Sequence, residues 1–148
     1  MGCGQIYNQK EMKEIKYDYV IKLMFYLYIL TVLSLMLFSI NVSDINVPKE
    51  IMGIAIDKVV HFFIFFPYPF LLYVAFKRKF KSNEPVFLWI IIPLSGIFFA
   101  IATELLQSLN PDRSFELSDM AANVCAIVFA SIISNIFHYI HVWSRRLQ

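Results

Sequence analysis

The chain has 148 residues, which is room for one domain, and its composition excludes an ordinary soluble one. It is 59% hydrophobic and 16% charged, whereas soluble domains average roughly 45–50% apolar and about 25% charged residues. A net charge of +2 gives no indication of nucleic acid binding. The two cysteines, Cys3 and Cys125, imply neither a disulfide framework nor a zinc site. A chain this short cannot bury so much apolar surface, so we expect contact with lipid.

Four apolar runs predict four membrane-spanning helices, because about 20 apolar residues cross a hydrocarbon core of roughly 30 Å. The runs are Tyr19–Ile40, Val59–Phe76, Val86–Leu106 and Met120–Phe137. The second run is short, so its helix is expected to begin near Ile56. Pro67 and Pro69 lie inside it and predict a kink, since proline lacks a backbone donor. We predict an all-α fold: a four-helix transmembrane bundle over residues 19–148 after a cytoplasmic N-terminal tail over residues 1–18.

The basic residues predict the orientation of the bundle. Ten of the thirteen fall near the N-terminus, in the 77–81 turn or at the C-terminus, which all lie on one side. The other side has only Lys49, Lys58 and Arg113. Because Lys and Arg accumulate in cytoplasmic loops, both termini are expected in the cytoplasm. The 41–58 and 107–118 loops are then expected outside.

This orientation brings polar residues from three helix ends to the outer face. Ionisable side chains inside membrane spans are costly and indicate function by default. Each helix end contributes two polar residues that are three or four positions apart and therefore share one face of the helix. These pairs are Asp57 with His61, Glu104 with Gln107, and Asp119 with Asn123. We therefore expect one pocket that is open outward and walled by Phe62, Phe99 and Leu105. Its predicted ligand-binding residues are Asp57, Lys58, His61, Glu104, Gln107, Arg113, Asp119 and Asn123.

Several roles remain open for these residues. Glu104, His61 and Asp57 are the candidates for acid–base catalysis. His61 could equally be a partner of Asp57 or an interfacial ring. Arg113 could bind a phosphate or carboxylate through two parallel hydrogen bonds, or it could pair with Asp119 or Glu116. One histidine among carboxylates does not match the usual zinc ligands, so we expect no metal and no cofactor.

The polar residues follow one order and spacing from the second helix to the fourth: Asp57-Lys58-x-x-His61-Phe62, Glu104-x-x-Gln107, Arg113, Asp119 and Asn123. This pattern resembles the VanZ-like integral membrane proteins. That family is named for a protein associated with low-level resistance to the lipoglycopeptide teicoplanin. One departure is visible on the fourth helix. The family pattern favours small residues there, often glycine, and this chain has Ala126 and Ala130. Alanine still permits close helix contact.

Three functions are compatible with the sequence and the resemblance. The first is an envelope protein of the bacterial cytoplasmic membrane whose pocket binds a lipid headgroup, a cell-wall lipid precursor or a lipoglycopeptide. The second is a membrane enzyme that acts on a lipid headgroup with Glu104 or His61 as acid or base. The third is a structural or oligomeric protein, whose polar residues make interhelical hydrogen bonds, or an oligomeric pore, since four helices are few for a monomeric transporter. The expected partners are membrane lipids, with homo-oligomerisation left open, and whether the chain is an enzyme is undecided.

Overall fold

The computed structural model describes residues 3–37, 50–51, 53–76, 86–110 and 115–146, and these are almost entirely helical. The helices are α1 (Cys3–Leu37), α2 (Ile56–Phe65), α3 (Tyr68–Phe76), α4 (Ile92–Gln107) and α5 (Leu117–Arg146). A π-helical segment, Phe87–Ile91, leads into α4. Strands β1 (Glu50–Ile51) and β2 (Ile54–Ala55) form a short antiparallel hairpin before α2. The predicted all-α fold class is confirmed.

Four segments are long and apolar enough to cross a membrane: Met12–Met36, Ile56–Phe76, Phe87–Gln107 and Leu117–Ile140. They confirm the four spans, and the second begins at Ile56 as its short apolar run predicts. Large apolar side chains such as Phe98, which is 74% exposed, cover the outside of the bundle. The residues of the predicted tail belong, from Cys3 onward, to the same helix as the first span. The domain boundary at residue 18 and the cytoplasmic side of both termini stay predictions.

The second span is interrupted where its prolines lie. α2 ends at Phe65 and α3 begins at Tyr68, so the helix is interrupted at residues 66–67, where the sequence predicts a kink. Carbonyl groups beside such an interruption lack regular helical donors, and neighbouring helices must satisfy them. Tyr28 of α1 donates from its hydroxyl to the carbonyl of Ile64 at 2.7 Å. A side chain of one helix thus stabilises the irregular backbone of another.

The third span is irregular near its beginning for the same reason. In the π-helical segment the backbone N–H of Ile92 donates to the carbonyl of Phe87. The next residue, Pro93, has no N–H with which to continue this pattern to the carbonyl of Leu88. Asn135 of α5, which is 1% exposed, donates to that carbonyl through Nδ2 at 3.3 Å. The polar side chain replaces the donor that proline lacks.

Close packing around small residues fixes the helices relative to one another. A Cβ atom on Gly96 of α4 would lie 2.8 Å from Cγ2 of Ile127 and 3.1 Å from ring carbons of Tyr68. Ala126 and Ala130 on α5 are fully buried, so the departure from the family pattern leaves close packing intact. These contacts hold α4 closely against α3 and α5.

Candidate functional site

Lys58 joins the beginning of α2 to the beginning of α5. Its Nζ lies 2.9 Å from Oδ2 of Asp57 in the same helix and 2.8 Å from Oδ1 of Asp119 in α5. The Oε2 atom of Glu116, just before α5, is 3.5 Å away. The side chains of Asp57 and Glu116 are about half exposed, at 48% and 50%, whereas that of Asp119 is only 12% exposed. The cluster therefore extends from the protein surface into the bundle.

His61 continues this cluster inward. Its Nδ1 lies 3.1 Å from Oδ1 of Asn123, and its Nε2 lies 3.6 Å from Oδ2 of Asp119. His61 is 5% exposed and Asn123 is fully buried. Of the roles left open for His61, the structure therefore gives it a carboxylate partner, but that partner is Asp119 and not Asp57. The contacts on both ring nitrogens fix the orientation of the imidazole.

Asn123 keeps one polar atom without a hydrogen-bond partner in the described part of the chain. This atom is Nδ2, which is buried, while Oδ1 of the same amide faces His61. A buried amide donor without an acceptor costs about 1–3 kcal/mol. Such a group in a folded protein calls for an explanation, and a bound ligand or water is one.

Glu104 and Gln107 bring the end of α4 to the same place. Glu104 is 2% exposed, and its Oε1 accepts a hydrogen bond from the backbone N–H of Glu116 at 3.4 Å. Gln107 is 3% exposed and lies one turn further along. Its Nε2 donates to Sδ of Met36 at 3.0 Å, so α1 also closes this end of the bundle. Both predicted α4 residues therefore face inward.

Three carboxylates at the surface of the cluster have the spacing of a cation site. One oxygen each of Asp57, Glu116 and Asp119 lie within 4.8 Å of one another. Oxygen ligands of this kind suit hard divalent cations. The ammonium of Lys58 contacts all three acids and supplies positive charge at this position. The expectation of no metal stays a prediction.

Seven of the eight predicted site residues lie in the described part of the chain, and all seven converge at one end of the bundle. Arg113 lies outside the described residues, and its two predicted roles remain predictions. The wall prediction was wrong for Leu105, which is 55% exposed. It follows Glu104 directly, and one residue turns a helix by about 100°. Phe62 and Phe99 pack against the apolar core.

Two contributors to the site are absent from the predicted ligand-binding residues. Glu116 was considered only as a possible partner of Arg113, although it lies three residues before Asp119 and this spacing indicates that the two acids could face the same partner. Met36 is one apolar residue within an apolar span and gives no signal at all. Its contact with Gln107 depends on how α1 packs against α4, which no local pattern in the sequence encodes.

The fold and the cluster define a multi-pass membrane protein with a polar site buried at one end of its helical bundle. A family model described as VanZ/LLP1 matches residues 5–138, and the chain belongs to this family. A curated relative, the uncharacterized protein C11E3.10 of Schizosaccharomyces pombe, is 32% identical over 92 residues. That match covers 62% of this chain and 54% of the relative, so the chain matches about half the length of that protein. No solved structure matches the chain.

Proposed function

We propose that this VanZ-family protein binds an amphipathic ligand through the polar site at the end of its bundle. The ligand is a lipid headgroup, a lipid-linked cell-wall precursor or a lipoglycopeptide. The observation that carries the proposal is the convergence of buried polar side chains from three helices inside an apolar bundle. These side chains are His61, Glu104, Gln107, Asp119 and Asn123.

A purely structural role is a weaker explanation of this site. Interhelical hydrogen bonds in membranes contribute about 0.6 kcal/mol on average, and neutral serine or asparagine side chains are sufficient to make them. Burying the carboxyl groups of Glu104 and Asp119 is costly and brings no packing advantage. Nδ2 of Asn123, which has no partner among the residues that the structure describes, also indicates that the helices alone do not satisfy the site.

The proposal places the site in the outer leaflet of the bacterial cytoplasmic membrane. The distribution of lysine and arginine supports this side, and the site lies at the ends of the spans, which is the depth of lipid headgroups. The family's namesake, a protein associated with teicoplanin resistance, motivates the lipoglycopeptide as one of the possible ligands.

Lipid analysis of the purified protein tests the proposal. The wild type, Glu104→Gln and Asn123→Ala are purified in a mild detergent, and co-purified lipids are quantified by mass spectrometry. Glu14→Gln is the matched control, because it removes an exposed carboxylate at the far end of α1. We expect one headgroup class to be enriched in the wild type and the control and to be depleted severalfold in both site variants. Identical lipid profiles in all four proteins would contradict the proposal.

A second candidate is an enzyme that acts on the bound headgroup. The contacts of His61 with Asn123 and Asp119 favour it, because a general base must be held in one orientation. This candidate predicts that the wild type releases a headgroup fragment from radiolabelled membrane lipids. His61→Gln should then retain bound lipid but form no product. A wild-type protein that binds lipid and leaves it unchanged would exclude turnover of the lipids tested.

A further inference from the structure

We propose that the ligand of this site carries a positively charged ammonium group and that the site disfavours headgroups whose only charge is a phosphate. This inference rests on the proposed function, because it names the chemical class of the ligand for the same pocket. Headgroups with a terminal amine belong to this class, and phosphatidylglycerol, for example, does not.

The first argument is the charge of the site itself. Among the described residues it contains one lysine, Lys58, and four acids: Asp57, Glu104, Glu116 and Asp119. Protonation of both Glu104 and His61 would still leave three negative charges against two positive ones. The described part of the site therefore contains more carboxyl groups than basic side chains. Such a site repels a phosphate and raises the local concentration of cations.

The second argument is the charge of the whole face to which the site belongs. The two loops predicted outside, with the adjoining helix ends, contain three basic residues against seven acidic ones. The remaining residues contain ten basic and four acidic ones, which together give the net charge of +2. Asp112 and Arg113, which belong to the 107–118 segment predicted outside, cancel each other in this count. The negative charge thus extends beyond the described contacts.

The third argument is that the site already accommodates an ammonium group. Nζ of Lys58 lies 2.8–3.5 Å from three carboxylates, which is the environment that an incoming amine would require. Two of these acids, Asp57 and Glu116, are about half exposed and can be reached from the surface. The carboxylates outnumber the lysine, so negative charge remains for a second cation.

Asn123 adds a donor deeper in the same site. Its buried Nδ2 has no partner in the described part of the chain, and its Oδ1 faces His61, which in turn contacts Asp119. A neutral donor can bind a phosphate or ester oxygen without adding charge. The order of groups, with acids at the mouth and an amide donor inside, fits a lipid whose amine is terminal and whose phosphate and ester oxygens follow.

Lipid titrations on delipidated, detergent-solubilised protein test this inference. Short-chain phosphatidylethanolamine, phosphatidylcholine and phosphatidylglycerol are added separately, and the thermal unfolding midpoint is followed. We expect phosphatidylethanolamine to bind about tenfold or more tightly than phosphatidylglycerol. Phosphatidylcholine should fall between them, because its quaternary ammonium has the charge without N–H donors.

The double variant Asp57→Asn, Glu116→Gln removes two half-exposed carboxylates, so its unfolding midpoint without lipid should stay close to that of the wild type. We expect it to lose most of the preference for phosphatidylethanolamine, while Glu14→Gln keeps it. Equal binding of all three lipids, or tighter binding of phosphatidylglycerol, would overturn the ammonium inference and leave the proposed function standing. The absence of any lipid effect on the folded wild type would overturn the ammonium inference and would also exclude these phospholipids as ligands under the proposed function.

Discussion

At the residue scale, Lys58 explains how acids from two helices can lie side by side. Asp57, Glu116 and Asp119 each place an oxygen within 4.8 Å of the others, and like charges this close repel. The ammonium of Lys58 lies among them and offsets that repulsion. A lysine at the beginning of a membrane span, which is costly in lipid, is stabilised here by its position among acids.

Lys58→Met should therefore convert the acid cluster into a site for Ca²⁺. Removal of the ammonium leaves three carboxylates with the spacing of oxygen ligands, so Ca²⁺ should raise the unfolding midpoint of this variant and not that of the wild type. Binding of Ca²⁺ at about 100 times its Kd stabilises a folded protein by about 2.7 kcal/mol. Thermal unfolding in detergent with Ca²⁺ or a chelator measures the effect.

The control for this experiment is Lys58→Met combined with Asp119→Asn, which removes one of the ligands and should lose the response to Ca²⁺. If the wild type and Lys58→Met responded equally, Lys58 would not be the cation that neutralises the acid cluster.

At the scale of helices, two proline-containing spans depend on side chains from other helices. The hydroxyl of Tyr28 binds the carbonyl of Ile64 near Pro67, and Asn135 binds the carbonyl of Leu88 near Pro93. Unsatisfied backbone groups are especially costly in lipid because no water can replace the missing donor. These contacts hold the irregular spans in one shape and so keep α2 and α4 aligned with α5.

Asn135→Leu should destabilise the protein by about 1–3 kcal/mol, because it leaves the carbonyl of Leu88 buried without a donor. Pro93→Ala restores a backbone N–H at the position that lacks one, so the double variant should lose less stability than the sum of the two single changes. Unfolding in detergent measures all three variants. Additive losses would show that Asn135 does not substitute for the missing N–H of Pro93.

Gly96→Ala tests the crossing of α4 over α5. The new methyl group would lie 2.8 Å from Cγ2 of Ile127, and such overpacking costs about 1–3 kcal/mol despite the better helix propensity of alanine. Ile127→Ala removes the conflicting methyl group, so in that background the same change at Gly96 should cost little. A gain of stability on Gly96→Ala in the wild-type background would contradict the close crossing.

Helix positions were predictable here, but partners between helices were not. The length of the apolar runs predicts the four spans, and the two prolines predict the irregularity of the second span. The up-and-down topology predicts that polar helix ends converge. The acceptor of Tyr28 and the partner of Asp57 depend on how the helices are rotated about their axes. A shift of one residue changes that rotation by about 100°. This is why Leu105 was misplaced although Glu104 beside it was placed correctly.

At the scale of the whole molecule, charge is distributed unevenly between the two ends of the bundle. The end that contains the site is acidic, and the opposite end contains most of the lysines and arginines. Because positive residues remain in the cytoplasm, this asymmetry predicts both the orientation of the bundle and the charge of the proposed binding site. The same distribution thus predicts which leaflet the site faces and which ligands it favours.

Ser118 and Ser144 provide a matched pair with which to test orientation. Both are exposed, both lie on α5, and they are about 39 Å apart along the helix at 1.5 Å per residue. Each cysteine variant is expressed in a protein from which Cys3 and Cys125 have been removed. In intact cells, a membrane-impermeant maleimide should label Ser118→Cys and leave Ser144→Cys unlabelled until the cells are lysed. The reverse pattern would place the site on the cytoplasmic side.

Protection of Ser118→Cys by lipid tests the central claim most directly, since this residue lies beside Glu116 and Asp119 without being one of the proposed binding groups. The measured quantity is the rate of maleimide labelling in detergent as phosphatidylethanolamine is added. We expect the rate to fall severalfold as lipid saturates the site, and to stay unchanged in the same protein with Asn123→Ala and Glu104→Gln. A labelling rate that no lipid alters, or that falls equally in the protein with both site substitutions, would contradict a ligand site at this end of the bundle.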